Sequence, residues 1–387
     1  MAKCLLICNS DGALYKFRYP IIKALIEQGH EVHSISTASS PEGSFIGDLK
    51  RMGVVTHTAD FSGRSIGVLS IINLFMFILK KILEVKPDII HCFTHKANVV
   101  GGLASMLSTN KNRLYLSVTG MGLLYSYDKV SYRFGRLLVN WIYRILGRRS
   151  NNIFFQNHDD ANYFLSKGLL KSDKVLVTNG SGFDPSMIPT HEVKPISKAE
   201  FLKRHGFLGH ELLVLYPSRA LFEKGINEYI EAIERINLVR DDFVFLHIGS
   251  PSLDEASGMT KTKISNTKLR NAIFFEHKPN IFQYFQLSDV VVLPSYREGT
   301  PRAIIEALYY DKYIVTTDAP GCNETVVNRW NGDLIKPKSS ISLASAIINI
   351  DSALIDRNKG RSKLIFERKY HSKHIVKQTL GCYFDCE

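Results

Sequence analysis

Residues 290–326 read VVVLPSYREGTPRAIIEALYYDKYIVTTDAPGCNETV. The apolar run Val290–Leu293, closed by Pro294, predicts a strand buried on both faces. A loop, SYREG, follows. Thr300 then stands as a helix N-cap with Pro301 at the first helical position, and Tyr313–Thr317 gives a second apolar strand. Strand, helix and strand at this spacing make a βαβ unit of a parallel sheet. The helix start at Gly299, Thr300 and Pro301 is an anion site directly after a strand, because backbone N–H groups and the helix dipole converge there. Gly299 lets a phosphate approach the main chain with no Cβ in the way. Glu306, about two turns into the helix, is placed to accept from sugar hydroxyls attached to such a phosphate, and Glu298 aims beyond it.

The same rhythm extends to both sides. In the first half the predicted strands are Lys3–Asn9, Val32–Thr37, Val54–Thr58, Asp88–Cys92, Arg113–Val118, Asn152–Gln156 and Lys174–Val177. A helix, Phe17–Gly29, lies between the first two. In the second half they are Leu212–Ser218, Phe243–Gly249, Ile273–Phe275, Val290–Pro294 and Tyr313–Thr317. The Pro- and Gly-rich stretch NGSGFDPSMIPTHEVKP separates the halves. The resulting division is a domain at 1–180, a linker at 181–197, a second domain at 198–360 and a helical tail at 361–387. Two doubly wound α/β domains of this kind are expected to face each other across a cleft at the carboxyl ends of their strands, where open sheets bind ligands.

A chain of 387 residues has length for two or three domains. With 45% hydrophobic and 22% charged residues it is neither disordered, collagen-like nor coiled-coil. Six scattered Cys form no disulfide framework, and the opening MAKCLLICNSDG lacks the apolar length and cleavage pattern of a signal peptide, so a reducing cytosol is expected. The net charge of +12 is uneven: residues 1–190 carry 22 Lys and Arg against 13 Asp and Glu. That excess favours an anionic partner.

Two apolar segments bear on membranes. The 14-residue run Ile66–Leu79 is shorter than the roughly 20 residues a span requires and reads as a core helix. Tyr132–Arg149 sets Phe134, Leu137, Leu138, Trp141, Ile142 and Ile145 among Arg133, Arg136, Arg144, Arg148 and Arg149. Such a basic amphipathic helix suits a membrane surface, and it equally suits a helix packed inward with solvated Arg outside.

Glu298 and Glu306 reproduce the E-x7-E motif of the retaining GT-B glycosyltransferases of the family 4 type, and the resemblance continues through PSYREG and TTDAPGCNETV. Arg219 and Lys224 in SRALFEKG match that family's R-x4-K pair. The resemblance implies that this pair neutralises the donor diphosphate, which two permanent cations after a strand can do. In the first half YKFRYPIIKALIEQGHEV, HCFTHKANVVGGLAS and SVTGMGLLYS resemble the branch that extends polyprenyl-diphosphate-linked sugars, of N-acetylgalactosaminyl type, for bacterial surface glycans or N-glycans. It covers nearly the whole chain and thins after about Asp351.

The implications are specific. The fold should be GT-B, two Rossmann-like domains, with the C-terminal helix returning to the N-terminal domain. The donor should be a UDP-N-acetylhexosamine and the acceptor an undecaprenyl-diphosphate-linked saccharide. Glu298, Arg219, Lys224 and Thr119 are the catalytic candidates. Thr119, in Thr119-Gly120-Met121-Gly122, stands where many members carry a His. Donor contacts are expected from Glu306, Gly299, Thr300, Pro301, Ser218, Gly249 and His277, and the acceptor diphosphate from Lys16, Arg18, His95, Lys96 and Asn98. His91 and Asp88 receive no role. No metal or other cofactor is expected: there is no Asp-rich motif, and His371-x2-His374 with Cys382-x3-Cys386 is an unusual order for zinc. The expected partners include an anionic membrane surface and no nucleic acid, with the protein peripheral on the cytoplasmic face of the inner membrane. A GT-B sugar-nucleotide epimerase would need other cleft acids and a His. A basic membrane or nucleic-acid adaptor would explain the charge but not Glu298, Glu306, Arg219 and Lys224.

Overall fold

The computed structural model describes residues 1–38, 44–61, 67–108, 111–126, 130–189, 196–278 and 280–384. It divides into two compact units, Met1–Gly182 with Ser372–Glu387, and Phe183–His371.

The first unit is a seven-stranded sheet of β1 (Lys3–Ser10), β2 (Glu31–Thr37), β3 (Val55–Thr58), β4 (Ile89–Phe93), β5 (Arg113–Val118), β6 (Asn152–Phe155) and β7 (Val175–Val177). The order is β3-β2-β1-β4-β5-β6-β7, and neighbouring strands run parallel. Leu5 of β1 sits opposite His33 of β2 and Ile90 of β4. Both sheet faces are covered, as near-continuous apolar strands demand. On one face Leu74 and Ile78 of the Val68–Val85 helix, Val100 of the His95–Met106 helix and Tyr143 and Leu146 of the Val130–Arg149 helix pack over Ile7, Ile90 and Leu116. On the other, Leu14, Ile22 and Leu25 of the Asp11–Glu27 helix meet Leu380 and Tyr383 of the Ser372–Phe384 helix. The C-terminal helix thus returns to the first unit, where the Tyr115 hydroxyl donates to the Cys382 carbonyl at 2.6 Å.

The second unit has six strands: β8 (Leu212–Tyr216), β9 (Phe243–Ile248), β10 (Ala272–Phe275), β11 (Val290–Leu293), β12 (Tyr313–Thr317) and β13 (Gly332–Ile335). Their order is β10-β9-β8-β11-β12-β13, again parallel, with Val214 of β8 opposite Phe245 and Val290.

Four differences from expectation have local causes. The first helix starts at Asp11 rather than Phe17, because the Ser10 hydroxyl accepts from Ala13 N at 3.2 Å and caps it; Pro20 lies inside without ending it. β13 went unread because GDLI offers only two large apolar residues. The helix after β11 spans Arg302–Tyr309 with Pro301, not Thr300, at its N-cap. Pro301 is extended (φ −71°, ψ 114°), no side chain caps the helix, and the Thr300 hydroxyl donates to the Gly299 carbonyl at 3.0 Å. The expected tail is shared, since the chain passes from one unit to the other at His371/Ser372. Within the expected linker Ser197 caps the Lys198–Arg204 helix, accepting from Glu200 N at 3.1 Å. Residues 190–195 and Cys386 lie outside the described residues. No helix is long and apolar enough to cross a membrane, and no group of three or more His, Cys, Asp or Glu is placed to hold a metal, both among the described residues.

Candidate active site

In the second unit the direction of winding reverses between β8 and β11, so their carboxyl ends flank the crevice where a doubly wound sheet takes its ligand. Two segments meet there. The chain leaving β8 passes Ser218 and Arg219 and makes a 3-10 turn, Phe222–Lys224, that ends on Gly225. Gly225 has φ +80°, and a Cβ there would lie 2.3 Å from the Pro294 carbonyl oxygen at the end of β11. Only glycine allows both the left-handed turn and this backbone approach.

The turn delivers Lys224 to the β11 loop, where its Nζ pairs with Glu298 Oε1 at 2.6 Å. Ser295 Oγ donates to the same oxygen at 2.9 Å, and Glu298 N donates to the Pro320 carbonyl at 3.0 Å. The Tyr216 hydroxyl, in turn, donates to the Lys224 carbonyl at 2.9 Å. The side chains of Lys224 and Glu298 are 18% and 15% exposed, so the pair is largely shielded yet open to a ligand. Beneath it, burial and then the Glu298 charge push the Cys322 thiol up to about 12, which keeps it neutral. Arg219 is exposed and forms no ion pair among the described residues, leaving a permanent cation at the rim.

Glu306 lies one turn into the Arg302–Tyr309 helix and accepts from Arg302 Nε at 2.8 Å. The Arg302 guanidinium stacks 4.6 Å above the Phe183 ring, which fixes that partner. Gly299 and Thr300 lie half-buried between Glu298 and the helix start at buried Pro301.

At the ends of β9 and β10 a cavity of about 320 Å³ is lined by His247, Gly249, Lys261, Phe275 and Glu276. Gly249 has its main chain against Ser218, whose carbonyl would be 1.8 Å from a Cβ. His247 contacts that same carbonyl through Nε2 at 2.9 Å, and burial holds the imidazole down to about 4. A neutral ring with Nε2–H is therefore the donor that positions Ser218. His277 is exposed just past β10.

Of the residues expected to grip an acceptor, His95 and Asn98 meet at the Tyr143 hydroxyl, while Lys16, Arg18 and Lys96 each contact a different group. Lys16 is exposed with Nζ 5.1 Å from the Phe45 ring, while Arg18 turns inward. Arg18 is 7% exposed, 4.4 Å over the Phe93 ring, and burial lowers its pKa to about 10. Lys96 donates to the Phe61 carbonyl at 2.9 Å. His95 Nδ1 meets the Tyr143 hydroxyl at 2.8 Å, and burial holds its ring down to about 4. Asn98 is fully buried: its Nδ2 donates to the Ser117 carbonyl and the Tyr143 hydroxyl, while its Oδ1 has no partner among the described residues. His91, also buried, bridges the Tyr383 and Ser117 hydroxyls, and burial keeps it neutral. Thr119 lies half-buried directly after β5.

Sequence reasoning missed the winding reversal of the first sheet, between β1 and β4. There Thr94 takes φ +82° and donates its hydroxyl to Asn9 Oδ1 at 2.6 Å. A β-branched residue at positive φ is a strained conformation. The only available signal was its place between strand and helix. His247 and Ser295 were missed as well: a buried strand His and a Ser after Pro294 read as ordinary core and loop.

Two family models match in tandem: Glycosyltransferase Family 4 over residues 19–180 and Glycosyl transferases group 1 over residues 197–363. The chain belongs to the GT-B glycosyltransferases. It is 27% identical to the N,N'-diacetylbacillosaminyl-diphospho-undecaprenol alpha-1,3-N-acetylgalactosaminyltransferase of Campylobacter jejuni, over 92% of this chain and 90% of that protein. It is 22% identical to the UDP-Gal:alpha-D-GlcNAc-diphosphoundecaprenol alpha-1,3-galactosyltransferase of Escherichia coli, over 83% of this chain and 80% of that one. Among solved structures, Anabaena HepE in complex with UDP and glucose superposes with a TM-score of 0.77 at 18% identity, covering 100% of both chains. In this glycosyltransferase the R-x4-K and E-x7-E segments, remote in sequence, are thus joined by the Lys224–Glu298 contact.

Proposed function

We propose that the enzyme transfers a sugar, an N-acetylhexosamine such as GalNAc, from a UDP-sugar to an undecaprenyl-diphosphate-linked saccharide, with retention of anomeric configuration. The observation that carries the reading is the Lys224–Glu298 contact at the winding reversal of the second sheet, a cation and a carboxylate held where a nucleotide sugar would place its diphosphate and its sugar. The acceptor class is supported by the two relatives whose names specify undecaprenyl-diphosphate-linked substrates, and the donor class by the UDP bound in HepE.

In this reading Glu306 accepts from the ribose hydroxyls, and the cavity beside Gly249 and Phe275 takes the base, with His277 at its rim. The loop Gly299–Pro301 leading into the Arg302–Tyr309 helix, with Arg219 and Lys224, holds the diphosphate. Glu298, released from Lys224 as phosphate oxygens replace it, accepts from hydroxyls of the transferred sugar. The bond from the anomeric carbon to the β-phosphate oxygen breaks, and the acceptor hydroxyl bonds to that carbon from the same face. Its proton passes to the leaving diphosphate, whose growing charge the two cations stabilise. No step needs a divalent metal. Lys16 and Lys96 follow the ends of β1 and β4 by six and three residues and are the cations we assign to the acceptor diphosphate, and an undecaprenyl-linked acceptor used with a cytosolic UDP-sugar implies reaction at the cytoplasmic face of the inner membrane.

The test is incubation with a panel of UDP-sugars and short prenyl-diphosphate sugars in EDTA, read by mass spectrometry, with the anomeric configuration of the product read by NMR. One UDP-sugar should extend the acceptor with retention. An inverted product overturns the mechanism, and neither transfer nor UDP binding across the panel overturns the reading.

A further inference from the structure

We infer that the first unit docks on an anionic lipid bilayer through the outer faces of two helices, Val68–Val85 and Val130–Arg149. The inference deepens the proposed function, since a lipid-linked acceptor requires the enzyme at a membrane, but it stands on a surface that plays no part in donor binding.

The Val130–Arg149 helix is apolar on two sides. Tyr143 and Leu146 face the sheet. Around the other side Val130, Phe134, Leu137, Leu138 and Trp141 recur at helical spacing as one stripe, each between 53% and 81% exposed. Arg144 and Arg148 continue the stripe past Trp141, and Arg133 flanks it, all three exposed. The Val68–Val85 helix repeats the pattern. Leu74, Ile78 and Ile82 are in the core, while Leu69, Ile72 and Met76 are between 49% and 75% exposed, followed on the same side by exposed Lys80. The core-helix expectation therefore describes only half of this element.

Both helices lie in one layer. Their inner residues share a core with Val100 and Ala104 of the His95–Met106 helix, so their outer stripes face away from the sheet on the same side. In the Val130–Arg149 helix the exposed apolar residues occupy the N-terminal part; in the Val68–Val85 helix Leu69, Ile72 and Met76 do, with Leu83, 45% exposed, nearer its other end. A helix linking parallel strands begins at the carboxyl edge of the sheet, the edge that carries Asn9 and Thr94. Eight large exposed apolar residues on one side are far more than singly scattered surface hydrophobes. An apolar stripe ending in Arg, on helices too polar to span, is the pattern of elements that lie in a bilayer interface. The sign of charge selects the occupant. Residues 1–190 carry 22 basic against 13 acidic groups, which an anionic leaflet attracts and a second, like-charged copy of this unit repels.

The test is flotation of the full chain with phosphatidylcholine vesicles, with and without phosphatidylglycerol, free of glycolipid. Calorimetric UDP binding and sedimentation are measured in parallel. Binding should need the anionic lipid and weaken several-fold, without vanishing, at high salt. The only other Trp is Trp330. In a Trp330→Phe background Trp141 fluorescence should shift to the blue on vesicles. Phe134→Ser with Leu137→Ser, and separately Ile72→Ser with Met76→Ser, should each reduce flotation about fivefold or more with UDP affinity unchanged. Arg144→Gln with Arg148→Gln should remove the lipid-charge dependence. A wild type that stays with the buffer at low salt overturns the inference, as does a dimer that the same Ser variants dissociate. If only the Phe134 and Leu137 variant loses binding, the two-helix surface is wrong. Vesicle binding without UDP binding would sink the proposed function and leave this inference standing; the converse would do the opposite.

Discussion

Consider the pair Lys224–Glu298 when the carboxylate is neutralised by Glu298→Gln. The structure sets the magnitude. Fully exposed ion pairs contribute about 0.2–1 kcal/mol, and breaking a fully buried pair costs about 3–5 kcal/mol. With side chains 18% and 15% exposed at 2.6 Å, this pair falls between, at about 1–3 kcal/mol. For a unit the size of residues 183–371 this corresponds to a fall in Tm of roughly 3–9 °C. A double-mutant cycle with Lys224→Met isolates the pair term, because Ser295 keeps an acceptor in the Gln variant.

The ligand side of the same cycle discriminates further. In the free enzyme Lys224 is held by Glu298, so a donor diphosphate must compete for it. Glu298→Gln removes both the competitor and a negative charge facing the phosphates. UDP should therefore bind as tightly or up to about tenfold more tightly, even as transfer is lost. Lys224→Met should weaken UDP by about 1.5–3 kcal/mol, the range for a charge-assisted hydrogen bond. Calorimetric titration of UDP into the four proteins, with unfolding scans of each, reads both terms. A coupling below about 0.3 kcal/mol, or a Gln variant that binds UDP more than tenfold worse while Lys224→Met binds normally, would refute the assignment of Lys224 to the diphosphate.

Glu306→Ala should weaken UDP binding by about 1.5–3 kcal/mol through loss of charged ribose contacts, while unchanged affinity in calorimetry would place this carboxylate elsewhere. Arg219→Gln should lower kcat more than it raises the donor KM, because the charge it faces grows as the glycosidic bond breaks; a variant with only KM raised would mean uniform binding. Gly225→Ala puts a Cβ 2.3 Å from a backbone oxygen at φ +80°, so the variant should lose at least about 2 kcal/mol of stability together with UDP binding. His247 is held down to about 4 by burial, below its unfolded value near 6.5, so the folded state favours the neutral ring. Its contribution is complete above pH 6.5 and falls by about 1.4 kcal/mol per unit as the pH drops toward 4. Urea titrations at pH 7 and 5 should show a loss of about 2 kcal/mol from this group that His247→Gln lacks.

Legibility followed the range of the interactions involved. Strands buried on both faces announce themselves in a few consecutive residues, which is why Leu212–Tyr216 and Val290–Leu293 were readable and the short, polar edge strand Gly332–Ile335 was not. Arg219, Lys224, Glu298 and Glu306 were readable because a strand end followed by a charge is itself a local pattern. That Lys224 touches Glu298 was not, since the contact depends on how the Gly225 turn seats against Pro294 across 69 residues of chain. The first unit shows the converse. Charges after strands there were read as ligand contacts with equal right, yet Lys16 and Arg18 sit two positions apart on a helix and so point to opposite sides.

The outer stripes of the Val68–Val85 and Val130–Arg149 helices mark the limit of pattern reading. An amphipathic period locates a buried face, but a helix apolar on two sides has no single phase, and its sequence fits a core helix and an interfacial helix equally well. What separates them is whether the second side is covered, and coverage belongs to the tertiary structure alone. Here Tyr143 and Leu146 are fully buried while Phe134 is 74% exposed on the same helix. On the inference drawn above, the helix serves the core with one side and a partner with the other, and the cations that continue its outer stripe select an anionic one.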